Sequence, residues 1–386
     1  MAGIYIHIPF CLSRCIYCDF YSTTAAELLP DYVDALCREM ALRRSELEGT
    51  PVATVYIGGG TPSVLSPAQL QQIDTCLRDN YDVVPGAEYT VELNPDDVGR
   101  KGGLLDAGEL PFNRASMGIQ TLDDRLLRLL RRRHDADTAI RAVDTLRRRG
   151  IGNISVDLIY GLPTQTLEAF TADVDAVLAL GTQHLSAYAL SYEPGTPLHA
   201  MRRRGEVQET DEEVSVAMYE TLCRRARQAG FEHYELSNFA LPGRHSRHNS
   251  AYWQGVPYIG FGPAAHSYDG RSTRRANTPS LTAYLRHLSQ DGAAAAAATG
   301  TTAWAEMEHL TTAELYDEHV MCALRTRQGI SLTALRDRFG STWQAHLMHA
   351  AAPHIAAGRL CVDGDRLHLA HSALMVADDV MSDLMA

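Results

Sequence analysis

Lysine is almost missing from this chain: Lys101 is the single one among 35 basic residues, the rest being arginine. A skew of that kind reflects genome composition rather than function. Positive charge is short overall as well. The 47 acidic residues leave a formal charge of -12, which excludes the basic surface that phosphate-backbone binding depends on, so no nucleic acid is expected. No apolar run is long enough to cross a bilayer, and no lipidation motif or basic amphipathic helix is visible. The N-terminus has no basic stretch ahead of an apolar one, and Pro9 and Arg14 interrupt what apolarity there is. The expectation is an unexported, cytoplasmic protein with reduced thiols. A clustered subset of its eight cysteines then reads as metal-binding or catalytic rather than disulfide-forming.

What the sequence has in quantity is alternation between two periodicities. Residues 4–8, 54–57, 88–93, 114–119, 153–158 and 185–190 read as strands, and 25–47, 66–80, 122–131, 138–149 and 165–180 as helices, several opened by Ser, Thr or Pro and closed by Gly. Repeated βα units predict a parallel sheet, either a barrel or an open α/β sheet, with ligands collecting at the C-terminal ends of the strands. A helix over 211–230 leads into turn-rich sequence up to Ser267, and the alanine tract 293–298 reads as a linker or frayed helix. Residues 301–386 read as helices followed by a hairpin around Asp363-Gly364-Asp365, a winged-helix-like α+β unit. Its 6 arginines against 11 acidic residues leave a net of -5, which argues against DNA binding.

Three cysteines stand together as Cys11-x3-Cys15-x2-Cys18, in a loop directly after the first strand. A structural zinc site needs four closed ligands, and no fourth Cys or His follows at finger-like spacing. Three thiolates suit a [4Fe-4S] cluster with one iron left open to a further ligand. The other cysteines, Cys37, Cys76, Cys223, Cys322 and Cys361, are scattered in apolar-periodic segments and read as small hydrophobes.

Further motifs follow in order at strand ends and loops: Tyr5-Ile6-His7-Ile8-Pro9-Phe10-Cys11, Gly58-Gly59-Gly60-Thr61-Pro62-Ser63, Glu92-Leu93-Asn94-Pro95, Gly118-Ile119-Gln120, Asp157 to Pro163, and His248-Asn249-Ser250-Ala251-Tyr252-Trp253. With the three cysteines, this set resembles the radical S-adenosylmethionine (SAM) superfamily, in its HemN/HemW branch, along the whole chain. The resemblance implies a partial (β/α)6 TIM-type barrel over residues 1–200, an extension over 201–290 and a C-terminal HemN-type domain over 301–386. It implies that SAM chelates the open iron and that reduction of the cluster cleaves SAM to methionine and a 5′-deoxyadenosyl radical. It places Gly59, Gly60 and Thr61 against the methionyl group, Glu92 on the ribose hydroxyls, Gln120 and Asp157 on the nucleoside, and Arg132 on the methionyl carboxylate, with Tyr5 and Tyr17 flanking cluster and adenine. Without the resemblance, Glu92 also reads as an N-cap for the helix after Pro95, and Tyr5 and Tyr17 as core aromatics.

Two functions compete within the branch. One is oxygen-independent coproporphyrinogen III dehydrogenase, whose pattern continues as Cys-x-Cys and which carries an extension ahead of the cluster. Here Phe20 stands at that next cysteine position, and the first cluster ligand is already residue 11. The other is a haem chaperone, to which the His248-Asn249-x-x-Tyr252-Trp253 element corresponds. In that reading His248 ligates haem iron while Tyr252 and Trp253 wall the macrocycle, and the haem goes to apoproteins such as respiratory enzymes of the membrane. The chaperone is the expected function, with no catalytic residue assigned.

Overall fold

The computed structural model describes residues 1–106, 108–289 and 304–386. Strands β1 (Ala2–Ile8), β2 (Val52–Gly59), β3 (Val83–Leu93), β4 (Arg114–Gln120), β5 (Asn153–Tyr160) and β6 (His184–Ala189) lie side by side in chain order, all parallel. Period-two alternation sets their faces. Ile4, Ile6 and Ile8 of β1 are fully buried under the helices, whereas Tyr5 and His7 point to the opposite face, the interior of the half-barrel.

Between the strands run α1 (Leu29–Leu42), α2 (Pro67–Asn80), α3 (Pro95–Val98), α4 (Asp124–Leu129), α5 (Ala136–Arg148) and α6 (Leu167–Ala179). Local chemistry starts them where the sequence said they should. Ser66 and Gln69 form a capping box ahead of Pro67, and Asp135 and Thr166 cap α5 and α6. The parallel strands thus all end at one rim, from which the βα loops rise.

The sheet does not stop at six strands. After α7 (Pro197–Arg203) and α8 (Glu212–Gln228), β7 (Glu232–Glu235) and β8 (Asn238–Ala240) add antiparallel beyond β6. The chain then crosses back through α9 (Arg247–Trp253). On the far side of β1 it lays down β9 (Tyr258–Phe261) parallel, then β10 (His266–Tyr268), β11 (Thr273–Asn277) and β12 (Ala305–His309) antiparallel, with α10 (Leu281–His287) between the last two. One fully buried carboxylate ties this edge down. Glu39 of α1 accepts hydrogen bonds from Arg43, Asn277, the Tyr284 hydroxyl and the Gly262 N–H, all at 2.7 to 2.8 Å.

β12 was not legible as a strand: its Ala-Glu-Met-Glu-His sequence is exposed at four of five positions, so no apolar alternation marks it. The 293–298 tract lies outside the described residues. The C-terminal unit has a core of its own around Tyr316, Val320, Leu335, Leu347 and Leu367. Its three-stranded sheet joins Ile330–Ser331 to the expected hairpin, Leu360–Asp363 with Arg366–Leu369. No helix among the described residues is long and apolar enough to cross a membrane.

Candidate functional site

Pro9 has no N–H to extend the ladder of β1, and the chain leaves the sheet there. The loop that follows is pinned at its neck by Cys11 N–H to Thr23 O (2.9 Å) and Thr23 N–H to Pro9 O (2.7 Å), and in its middle by the buried Ile16. Cys11, Cys15 and Cys18 hang half-buried from this frame and line one cavity of about 460 Å³. Thr61 Oγ1 donates to Cys11 Sγ and Arg132 Nη1 to Cys15 Sγ, both at 3.4 Å. Burial, and then the neighbouring Cys15 and Cys11, push the Cys18 thiol up to about 11.

The rim of the barrel supplies the rest of the cavity. Gly59 has φ +101, and a Cβ on it would stand 2.3 Å from the His7 ring; a Cβ on Gly60 would stand 2.6 Å from Ile8 O. The glycines are therefore required first by the chain's own packing against β1, whatever else approaches them. Glu92 lies at the end of β3, where its carboxylate accepts from Tyr56 OH (2.8 Å) and Gly59 N–H (3.0 Å). It is no N-cap, since that position before α3 belongs to Asn94. Burial, together with nearby Asp157, raises Glu92 to about 7, and burial raises Asp157 to about 6. Ser116 Oγ lies 3.3 Å from Asp157 Oδ2.

Gln120 adopts φ +70 at a register shift between β4 and β5, a strained backbone that turns its side chain into the cavity. Arg132 is singled out from its run. It donates to Asn94 Oδ1 (2.8 Å) and Gly118 O (2.6 Å), while Arg133 pairs with Asp96 and Asp97 and Arg131 is exposed. Its Nε is buried with no acceptor.

Of the residues singled out in the sequence, Tyr17, Gly59, Gly60, Thr61, Glu92, Gln120, Arg132 and Asp157 line the cavity with the three cysteines. Tyr5 does not: it sits deeper, its hydroxyl 2.9 Å from His7 Nδ1. Asn94, Tyr56, Ser116, Ser186 and Tyr188 also line it and were missed. The last four occupy alternate positions of β2, β4 and β6 and so face the interior, which strand periodicity alone could have flagged.

The His248 element falls elsewhere. α9 plugs the opposite end of the barrel, where Glu88 Oε1 accepts the His248 N–H at 2.9 Å. The His248 ring is 2% exposed and stacks on Tyr56 at 5.2 Å. Its Nδ1 is 2.9 Å from Thr54 Oγ1 and its Nε2 2.8 Å from Tyr252 OH. Burial lowers its pKa to about 3. Trp253 lies under the Arg325 guanidinium of the C-terminal unit at 4.8 Å. Of His248, Asn249, Tyr252 and Trp253, only Asn249 lines the cavity.

The radical SAM superfamily profile matches residues 5–177, and that of the HemN C-terminal domain residues 310–376. The haem chaperone HemW of Mycobacterium tuberculosis is 36% identical over 99% of this chain and 94% of its own length. The chain belongs to the HemW family. HemW of Bacillus subtilis is 31% identical over 98% of both chains. The coproporphyrinogen III oxidase HemN of Escherichia coli superposes with a TM-score of 0.82 over all of this chain and 90% of that one, at 23% identity, and so shares its fold.

Radical SAM membership of this HemW-family chain brings a [4Fe-4S] cluster and SAM. The donor set fits a cluster better than a single ion. Among the described residues no three His, Cys, Asp or Glu converge on one ion, whereas a cube takes each thiolate on a different iron. The buried, unpaired Arg132 Nε is a donor left waiting for an anionic partner.

Proposed function

We propose that this chain binds haem and hands it to apoproteins, on a scaffold that also carries a [4Fe-4S] cluster and SAM. The observation that supports this best is full-length identity of 36% to a protein named haem chaperone HemW, against 23% to HemN. Phe20, at the position of the dehydrogenase's additional cysteine, agrees with it.

In this reading Cys11, Cys15 and Cys18 hold three irons of the cluster. SAM supplies a carbon–sulfur bond open to reductive cleavage. Gly59, Gly60, Thr61, Gln120, Asp157 and Tyr17 shape and line its pocket, and Arg132 faces its carboxylate. Acceptors are haem-requiring apoproteins, respiratory enzymes among them, and any contact with a membrane runs through those partners.

Glu92 gives the SAM site a pH dependence. An ionised carboxylate is the stronger acceptor for ribose hydroxyls, and this one is raised to about 7. SAM affinity should therefore rise as pH passes upward through about 7, with protons released on binding below that pH and few above it. Glu92→Gln should flatten that slope and weaken SAM by about tenfold or more, a charged hydrogen bond being worth roughly 1.5–3 kcal/mol. Calorimetry in buffers of different ionisation enthalpy measures both.

The function itself is tested on one anaerobically reconstituted sample, by haem titration and by incubation with coproporphyrinogen III, SAM and reductant. The expected result is saturable haem binding with no decarboxylation. Turnover of coproporphyrinogen without haem uptake would reverse the reading in favour of the dehydrogenase.

A further inference from the structure

Interior side chains of a half-barrel stand in columns, because every second residue of each strand points inward. One column runs the depth of this barrel. Thr54 and Tyr56 of β2 lie in register with Glu88 and Thr90 of β3, and Glu92 follows one interior position further along β3. At the lower end α9 is seated on Glu88, whose two carboxylate oxygens accept the N–H groups of Arg247 and His248 at 3.0 and 2.9 Å. The His248 ring, in contact with Thr54 Oγ1, lies against Tyr56 with 26° between the planes. At the upper end the Tyr56 hydroxyl donates to Glu92 at 2.8 Å, in the wall of the cavity. A Cβ on Gly58 would stand 2.7 Å from Tyr56 and 2.8 Å from Glu92, so a glycine is needed there to leave this bond its room.

We propose that Tyr56 is a positioning residue that couples α9 to the SAM site: with His248 behind its ring it holds the Glu92 carboxylate in place, so that haem on α9 and SAM at Glu92 weaken each other. The proposal rests on the haem-chaperone reading, with His248 as the ligand of haem iron. His248 is 2% exposed and its Nε2 faces Tyr252 OH, so iron takes that nitrogen once the ring moves outward. Tyr56 then loses its stack, and its hydroxyl loses the fixed position from which it donates. Among the described residues Glu92 has one other hydrogen-bond donor, the Gly59 N–H at 3.0 Å. Tyr5 of β1, Asp157 of β5 and Tyr188 of β6 also face it, two hydroxyls and a second acid, none of them a cation. A weakened Tyr56 contact therefore leaves more of Glu92 protonated at neutral pH and less of it ready for the ribose. Coupling between two ligands is reciprocal, so SAM loosens haem by the factor by which haem loosens SAM, which gives the chaperone a signal for release.

The test is titration of the reconstituted holoprotein with SAM from about pH 6 to pH 9, with and without saturating haem, iron and sulfide content being measured on each sample. Tyr56→Phe keeps the ring on His248 and removes the donor alone. Its SAM affinity should rise with pH about one unit later than that of wild type, about fivefold weaker at pH 7 and within about twofold at pH 9, as the loss of a hydrogen bond to a charged group requires. A general loosening of the fold would lower affinity at both. Saturating haem should weaken SAM about fivefold at pH 7 in wild type and less than about twofold in Tyr56→Phe. A Tyr56→Phe protein with the wild-type pH midpoint, or a wild type that binds haem and SAM with no mutual effect, would overturn the coupling while the chaperone reading stands. If wild type takes up no haem, that reading fails, and the pH midpoint alone decides the role of Tyr56.

Discussion

Cys18→Ser should yield a folded chain that cannot hold its cluster. After anaerobic reconstitution, wild type should carry roughly four irons and four sulfides, and the variant less than about one of each, with loss of the broad absorption near 400 nm. The cause is local. The cysteine loop is framed by the Cys11–Thr23–Pro9 backbone bonds and by Ile16, none of which involves the Cys18 thiol, so the frame survives while one of only three ligands is lost. Serine is a poor stand-in because its alkoxide is not available at neutral pH, whereas iron can draw a proton even from a thiol raised to about 11. Cys37→Ser and Cys76→Ser are the controls: the Cys76 thiol donates to Cys37 O at 3.3 Å between α1 and α2, outside the cavity, and loss of either thiol should leave the iron content as in wild type. A Cys18→Ser protein with four irons would mean that the cluster is held elsewhere.

His248→Ala should act on stability instead. The substitution removes a buried ring, its stack on Tyr56 and its contacts to Thr54 and Tyr252, and it leaves a cavity lined by two hydroxyls. Costs of that kind run to about 2–5 kcal/mol. The effect carries a pH signature. Folding lowers the His248 pKa from 6.5 to about 3, so between those values the unfolded chain binds a proton that the folded one refuses. Its contribution is complete above 6.5 and falls away as pH drops toward 3. His184, also buried and lowered, acts in the same direction. Urea unfolding at pH 7 and pH 5 should show wild type losing more stability on acidification than His248→Ala does. A variant as stable as wild type at both pH values would contradict this role.

Much of this architecture was legible in the sequence because the signals were local. The capping box at Ser66, the alternation of Ile4, Ile6 and Ile8 and the spacing of Cys11, Cys15 and Cys18 each report on a few adjacent residues. The eight residues that join the cysteines around the cavity come from the strands and their ends, from the cysteine loop and from the turn after α4, and only the family pattern pointed to them. The surroundings of His248 were not legible, for a physical reason. Sequence lists donors but not their partners, and here Thr54, Tyr252 and Glu88, contributed by two strands and the helix itself, occupy every donor and acceptor position of that histidine. β12 was lost because a strand at the sheet's edge with exposed residues has no apolar period to read. Phe20 was noticed as a departure from a cysteine pattern, but its exposure at the cavity mouth could only come from three dimensions.

Haem delivery tests the central claim most directly. Holoprotein loaded with haem and freed of excess is mixed with an apo-haem enzyme, and recovery of the acceptor's activity is followed against the same amount of free haem in a non-specific carrier. The account predicts faster and more complete recovery from the loaded chain. Recovery no faster than from the carrier, with haem remaining on this chain, would contradict it.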